Sequence, residues 1–142
     1  MKKILVAAAA VLSLSAFAAD VSVDQVRDYS VAKDGVRVGT QVFGINVAAT
    51  HIGNEYNRVS VGKDFELTRV GPVALSAGGA AVYQKTEVAG VDNGYGLTVG
   101  AKATYAITKS VDAVIGTERF YGQNRISGFN GNTGMIGVNV KF

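Results

Sequence analysis

The stretch "GMIGVNVKF", residues 134–142, alternates without a break. Gly134, Ile136, Val138, Val140 and Phe142 fall on one set of positions, and Met135, Gly137, Asn139 and Lys141 on the other. A period of two is the mark of a β-strand with unlike faces. The stretch closes on an aromatic, where soluble domains usually fray in polar residues. The same rule holds upstream. In "YGLTVGAKATYAI" (95–107), Tyr95, Leu97, Val99, Ala101, Ala103, Tyr105 and Ile107 share an apolar face. Gly96, Thr98, Gly100, Lys102, Thr104 and Ala106 oppose them. "PVALSAGGAAVYQ" puts Val73, Leu75, Ala77, Gly79, Ala81 and Tyr83 together. "NRVSVGKDFEL" does the same for Val59, Val61, Phe65 and Leu67, with Lys63 breaking the pattern.

Turn chemistry separates these runs. "ITKS" (107–110) and "TRVGP" (68–72) read as short turns, while "KTEVAGVDNG" (85–94) and "GQNRISGFNGN" (122–132) are longer and rich in Gly and Asn. "FELTRVGPVALSAG" and "YAITKSVDAVIGTE" echo each other, which suggests a repeated up-and-down hairpin. Seven strands are evident: 21–31, 36–50, 56–67, 73–85, 95–107, 111–121 and 132–142. A single-chain bacterial barrel has an even number. A turn at Phe43-Gly44 divides the second run into 36–42 and 45–52 and gives eight. Short and long connections then sort to opposite ends. The first strand is untidy, because Val21 and Val23 share a face with Gln25 and Arg27; a bulge or a different start is expected there.

The fold class expected is all-β: a closed antiparallel up-and-down transmembrane barrel. Alternation alone fits either a soluble barrel with its apolar face inside or a membrane barrel with that face toward lipid. Three features favour the second. The polar face carries glycines and charges of both signs, so that Arg37, Arg58 and Lys102 can meet Asp64, Glu66, Asp112 and Glu118 in a narrow lumen. Phe65, Tyr83, Tyr95 and Tyr105 lie near strand ends, where interfacial aromatics gather. The opposite face is nearly free of charge. Lys63 and Arg119 are the exceptions, to be met by snorkelling or by a bulge. A closed barrel also satisfies every backbone group in lipid.

The other end reads "MKKILVAAAAVLSLSAFAAD". Lys2 and Lys3 precede an apolar run, Ile4 to Leu14, and Ala16-Phe17-Ala18 is a small-x-small cleavage site, with Ala19 as a second end. Residues 1–19 are expected to be a signal peptide and 20–142 the barrel. The run is shorter than the roughly 20 residues a helical anchor needs. The chain has no cysteine, 18 glycines and one proline. Gly suits tight turns and close strand packing better than helices. The formal charge is +3, and losing Lys2 and Lys3 lowers it to +1, so no basic patch invites nucleic acid.

The ending resembles the C-terminal signature of Gram-negative outer-membrane barrels, with Ile136, Val138, Val140 and Phe142 in the matching positions. More loosely, the mature chain is similar to the small eight-stranded OmpA/OmpX/NspA-type barrels of the porin-like superfamily. The resemblance implies outer-membrane residence among its lipids, recognition of the last strand by the barrel-assembly machinery, and zipping of first and last strands. It also implies a monomer. The chain departs from that pattern in its short strands at 36–42 and 45–52 and its compact loops.

Some small outer-membrane barrels modify lipid A with His, Ser and a carboxylate. "THIGNEYNRVS" places His51, Glu55 and Ser60 around one loop. The His-x-Ser arrangement of the deacylases is absent, and alternation sends His51 outward and Ser60 inward. Neither a catalytic residue, nor a cofactor, nor a metal site is expected. An eight-stranded barrel is just wide enough to be filled by side chains, so the lumen charges are read as structural. The role expected is a non-enzymatic protein of envelope integrity or surface contact. The alternatives are a small porin-like channel, a lipid A-modifying enzyme, or a soluble periplasmic binding barrel.

Overall fold

A computed structural model describes residues 20–87, 89–90, 93–122 and 131–142. Residues 1–19, read above as a signal peptide, lie outside them, as does most of the 122–132 connection. The eight strands are β1 (Asp20–Asp28), β2 (Lys33–Val42), β3 (Ile45–Ile52), β4 (Tyr56–Val70), β5 (Val73–Thr86), β6 (Gly94–Ala106), β7 (Val111–Gly122) and β8 (Gly131–Lys141). Each pairs antiparallel with the next, and β8 pairs with β1, so the sheet closes into a barrel.

The hairpin at Phe43-Gly44 forms as expected. Both residues have positive φ, 50° and 78°. That is the backbone of a two-residue turn whose twist matches the flanking strands. Other boundaries differ from the sequence reading. β1 stops at Asp28, not at residue 31, because the Asp28 carboxylate turns back onto Ser30, accepting from its backbone N at 2.9 Å and from its hydroxyl. β1 needs no bulge: its register with β2 and with β8 runs unbroken. Gln25 and Arg27 face outward, and Arg27 pairs with Asp34 at 2.8 Å. β4 runs on through Thr68–Val70, so the turn read at 68–72 shrinks to Gly71-Pro72. A bulge between Glu66 and Thr68 leaves Leu67 without a partner and shifts the alternation by one.

The hairpin turns at 43–44, 71–72 and 107–110 share one end of the barrel with Asp20 and Phe142; this is the turn end. Connections 29–32 and 53–55 lie at the opposite, loop end, as do the strand ends Thr86 and Gly94 that a third connection joins. Two of those three are as short as the turns, so length sorts the two ends less cleanly than expected.

The barrel is inverted relative to a soluble one. Among the described residues, six apolar side chains are buried while twenty-two large ones are exposed. Val59, Val61, Leu75, Leu97, Val99, Ile115, Ile136 and Val138 form an exposed apolar wall. The apolar face therefore points out, and the lumen holds the polar set.

Candidate functional site: the lumen

Alternation delivers the even-numbered residues of β1 and of β3 to β7, and the odd-numbered residues of β2 and β8, into the lumen; past its bulge β4 changes parity. At the loop end they form a lid. Val26, Ile52, Tyr56, Val82 and Phe120 pack as one buried cluster, contributed by β1, β3, β4, β5 and β7. Arg58 is threaded through it and is only 4% exposed. Its Nη2 meets Asp28 Oδ2 at 2.9 Å, its Nε donates to Gln84 Oε1 at 2.7 Å, and its guanidinium lies 4.6 Å from the Phe120 ring centroid. A buried cation demands this degree of pairing.

The next layer is Arg37 with Glu118. Both guanidinium NH2 groups face the carboxylate, while Nε donates to Thr50 Oγ1 at 3.1 Å and Nη1 also touches the Met135 sulfur at 3.6 Å. Lower still, Lys102 binds Asp64, whose Oδ2 also accepts from Asn46 Nδ2 at 2.7 Å. Asn46 Oδ1 accepts from Gln41 Nε2 at 3.3 Å, the Gln41 amide donates to Asp20 Oδ1 at 3.0 Å, and Asn139 Nδ2 donates to Asp20 Oδ2 at 3.1 Å. One polar belt thus runs across β8, β1, β2, β3, β4 and β6. At the turn-end mouth, Lys141 pairs with Asp112 at 2.7 Å.

The expected lumen charges are therefore present, but their pairing is only partly the expected one. Arg37–Glu118 and Lys102–Asp64 join residues from the expected set. Arg58 takes Asp28 and Asp112 takes Lys141, neither of which was singled out. Glu66 lines the turn-end mouth of the lumen, where it is exposed and pairs with Arg69 at 2.9 Å rather than with Arg37, Arg58 or Lys102. The acids of β1 were missed because that strand was read as irregular. The signal was there: Asp20, Asp24 and Asp28 recur at every fourth position, always on one face.

Between the lid and the turn end lies a cavity of about 410 Å³, reaching from Arg58, Thr98 and Glu118 down to Arg69, Asp112 and Lys141. It is lined by both charges and small side chains, including Ser22, Ala48 and Ala80.

On the outer wall, Phe65 and Tyr105 lie toward the turn end, and Tyr83 and Tyr95 toward the loop end, their rings 5.2 Å apart. Two outward cations, Lys63 and Arg119, each lean on the aromatic two residues along their strand. Lys63 Nζ is 5.3 Å from the Phe65 centroid, and the Arg119 guanidinium is 5.5 Å from that of Tyr121. Snorkelling, with no bulge, accounts for both. Ile136, Val138 and Val140 continue the wall on β8, paired with β1, and the exposed Phe142 follows directly after the strand. His51 also faces outward, its Nδ1 2.8 Å from Asn57 Oδ1. Ser60 faces the lumen, and Glu55 binds Lys33 at 2.6 Å. The structure does not bring His51, Glu55 and Ser60 together.

This arrangement defines a closed eight-stranded antiparallel barrel with an apolar exterior and a polar, partly filled interior. The chain matches the YfaZ precursor family over residues 1–140 and belongs to that family. It is similar in fold to a solved barrel described as "De novo design of transmembrane beta-barrels", with a TM-score of 0.55 and 18% identity over 88% of this chain and 97% of that one. No curated protein sequence matches the chain.

Proposed function

We propose that this chain is a non-enzymatic, monomeric barrel of the Gram-negative outer membrane that supports envelope integrity or surface contact. The apolar outer wall is matched to lipid, and the aromatics near both strand ends to its two interfaces. Outer-membrane residence, an OmpA/OmpX-like layout and insertion by the barrel-assembly machinery through β8 belong to this reading. So does export with residues 1–19 as leader. The observation that carries it over a channel is the lid. Val26, Ile52, Tyr56, Val82 and Phe120 close the lumen at the loop end, with Arg58 and Asp28 paired among them.

The test joins fractionation to electrophysiology. The protein is expected in the outer-membrane fraction, with a heat-dependent shift in detergent gels, and planar bilayers containing it are expected to show no steady conductance. Ohmic openings whose ion selectivity changes in Arg58→Ala or Lys102→Ala would replace this reading with a small channel. The open cavity below the lid is the feature that favours that second reading. His51→Ala is expected to leave lipid A acylation unchanged; a loss would reinstate an enzyme.

A further inference from the structure

The turn-end half of the lumen holds more acid than base. Its cations are committed, Arg37 to Glu118, Lys102 to Asp64, Lys141 to Asp112 and Arg69 to Glu66. Asp24 has no such partner. It stands on the lumen face of β1, is 5% exposed and lines the cavity. Its Oδ1 is buried and accepts no hydrogen bond among the described residues. Arg37 is its direct cross-strand neighbour, but that guanidinium already serves Glu118 and Thr50 with all three nitrogens. Further down the same face, the Asp20 carboxylate accepts from the Gln41 amide and the Asn139 side chain rather than from a cation.

An ionised carboxylate removed from water is stable only with a counter-charge. We propose that the cavity is a binding site for a small organic cation, a protonated primary amine whose ammonium group hydrogen-bonds the Asp24 carboxylate. An ammonium offers three donors on a compact charge, which a single carboxylate and the neighbouring hydroxyl of Ser22 can receive. The alkyl remainder fits the same cavity beside Ala48, Ala80 and Val114. A volume of about 410 Å³ lies at the small end of ligand sites. Among the described residues no group of three or more acidic, His or Cys side chains forms a metal cage, so the wall offers an ammonium seat in preference to a metal site. The lumen alone carries this inference, which stands or falls apart from the membrane role.

The test uses the barrel purified from membranes into detergent micelles. n-Butylammonium chloride is titrated in while backbone amide resonances are followed, with calorimetry in parallel. The expected result is a single saturable site, with shifts at Ser22, Asp24 and Gly137. Asp24→Asn is expected to weaken binding by about tenfold or more, the contribution of one charge-assisted hydrogen bond. Asp34→Asn, at the exposed Arg27 pair outside the cavity, should bind as the parent does. The heat-dependent gel shift shows whether Asp24→Asn still closes; if it does not, the parent titration decides alone. Three results would overturn the proposal: no saturable shift in the parent, equal affinity in a closed Asp24→Asn barrel, or saturation of the same amides by magnesium chloride but not by the amine.

Discussion

Asp64 on β4 lies across Gly78 on β5, its direct register partner. A Cβ placed on Gly78 would sit 2.2 Å from Asp64 Oδ1 and 2.4 Å from the Lys63 carbonyl oxygen. The relationship recurs at Asp24 and Gly137, again direct partners, where the added Cβ would be 2.2 Å from Asp24 Oδ1. These lumen carboxylates fold down onto a neighbouring strand that has no side chain there. That is how a narrow barrel accommodates so many charges.

Gly78→Ala should therefore destabilise the barrel by about 1–3 kcal/mol or more, since both a side chain and a backbone atom must move. Gly79→Ala, facing outward with its nearest atom at 3.0 Å, should cost less. Urea midpoints of the heat-shifted gel form compare the two. Equal losses would mean that the lumen packing is looser than described.

The Arg58–Asp28 pair is nearly shut off from water, whereas Arg69–Glu66 is half exposed. Arg58→Ala should cost about 3–5 kcal/mol, because it strands the Asp28 carboxylate. Arg69→Ala should stay within about 1 kcal/mol. The double change Arg58→Met with Asp28→Asn should recover part of the first loss. Urea unfolding followed by far-UV circular dichroism measures all three.

At the loop end, the Lys33 ammonium group hydrogen-bonds Glu55 and holds its carboxyl below the usual glutamate range. A depressed carboxyl contributes stability that is complete above its unfolded pKa, about 4.3, and is lost as pH falls through the lower, folded value. The gap in thermal midpoint between the parent and Glu55→Gln should thus be constant from pH 7 to about pH 5 and close below about pH 4. A gap that persists at pH 3 would separate Glu55 from this linkage.

The position of a charge on the outer wall should matter in bilayers. Lys63 leans toward Phe65 and the turn end, so Lys63→Leu should change stability by less than about 1 kcal/mol. Ile115 sits in mid-strand on β7 and is well exposed. Ile115→Lys should cost about 2–4 kcal/mol in lipid. Refolding titrations into phosphatidylcholine vesicles read both. A neutral Ile115→Lys would count against burial of this wall in hydrocarbon.

Much of the fold was legible in the chain because its causes are local. Alternation assigns positions such as Leu97 and Val99 to one wall without knowledge of any partner. The β2–β3 turn shows itself at Gly44, where a run too long for one strand meets a residue that tolerates positive φ. The bulge at Glu66 to Thr68 was hidden, because shifting alternation by one residue leaves Leu67 looking like a member of the same face.

The lumen is where sequence reasoning ran short. That Arg37 and Arg58 face inward follows from parity; that they choose Glu118 and Asp28 does not. Arg37 and Glu118 are 81 residues apart and meet across the barrel interior. Such a meeting depends on the stagger with which β8 closes on β1, and no local pattern encodes that stagger. By itself the sequence determined which residues share a strand face, because a strand's period of two is fixed by its own backbone; that the apolar face points outward was decided by the closed barrel. Only the tertiary structure decided which charges pair, which end is lidded and that Asp24 is left over, because those follow from closure of the barrel.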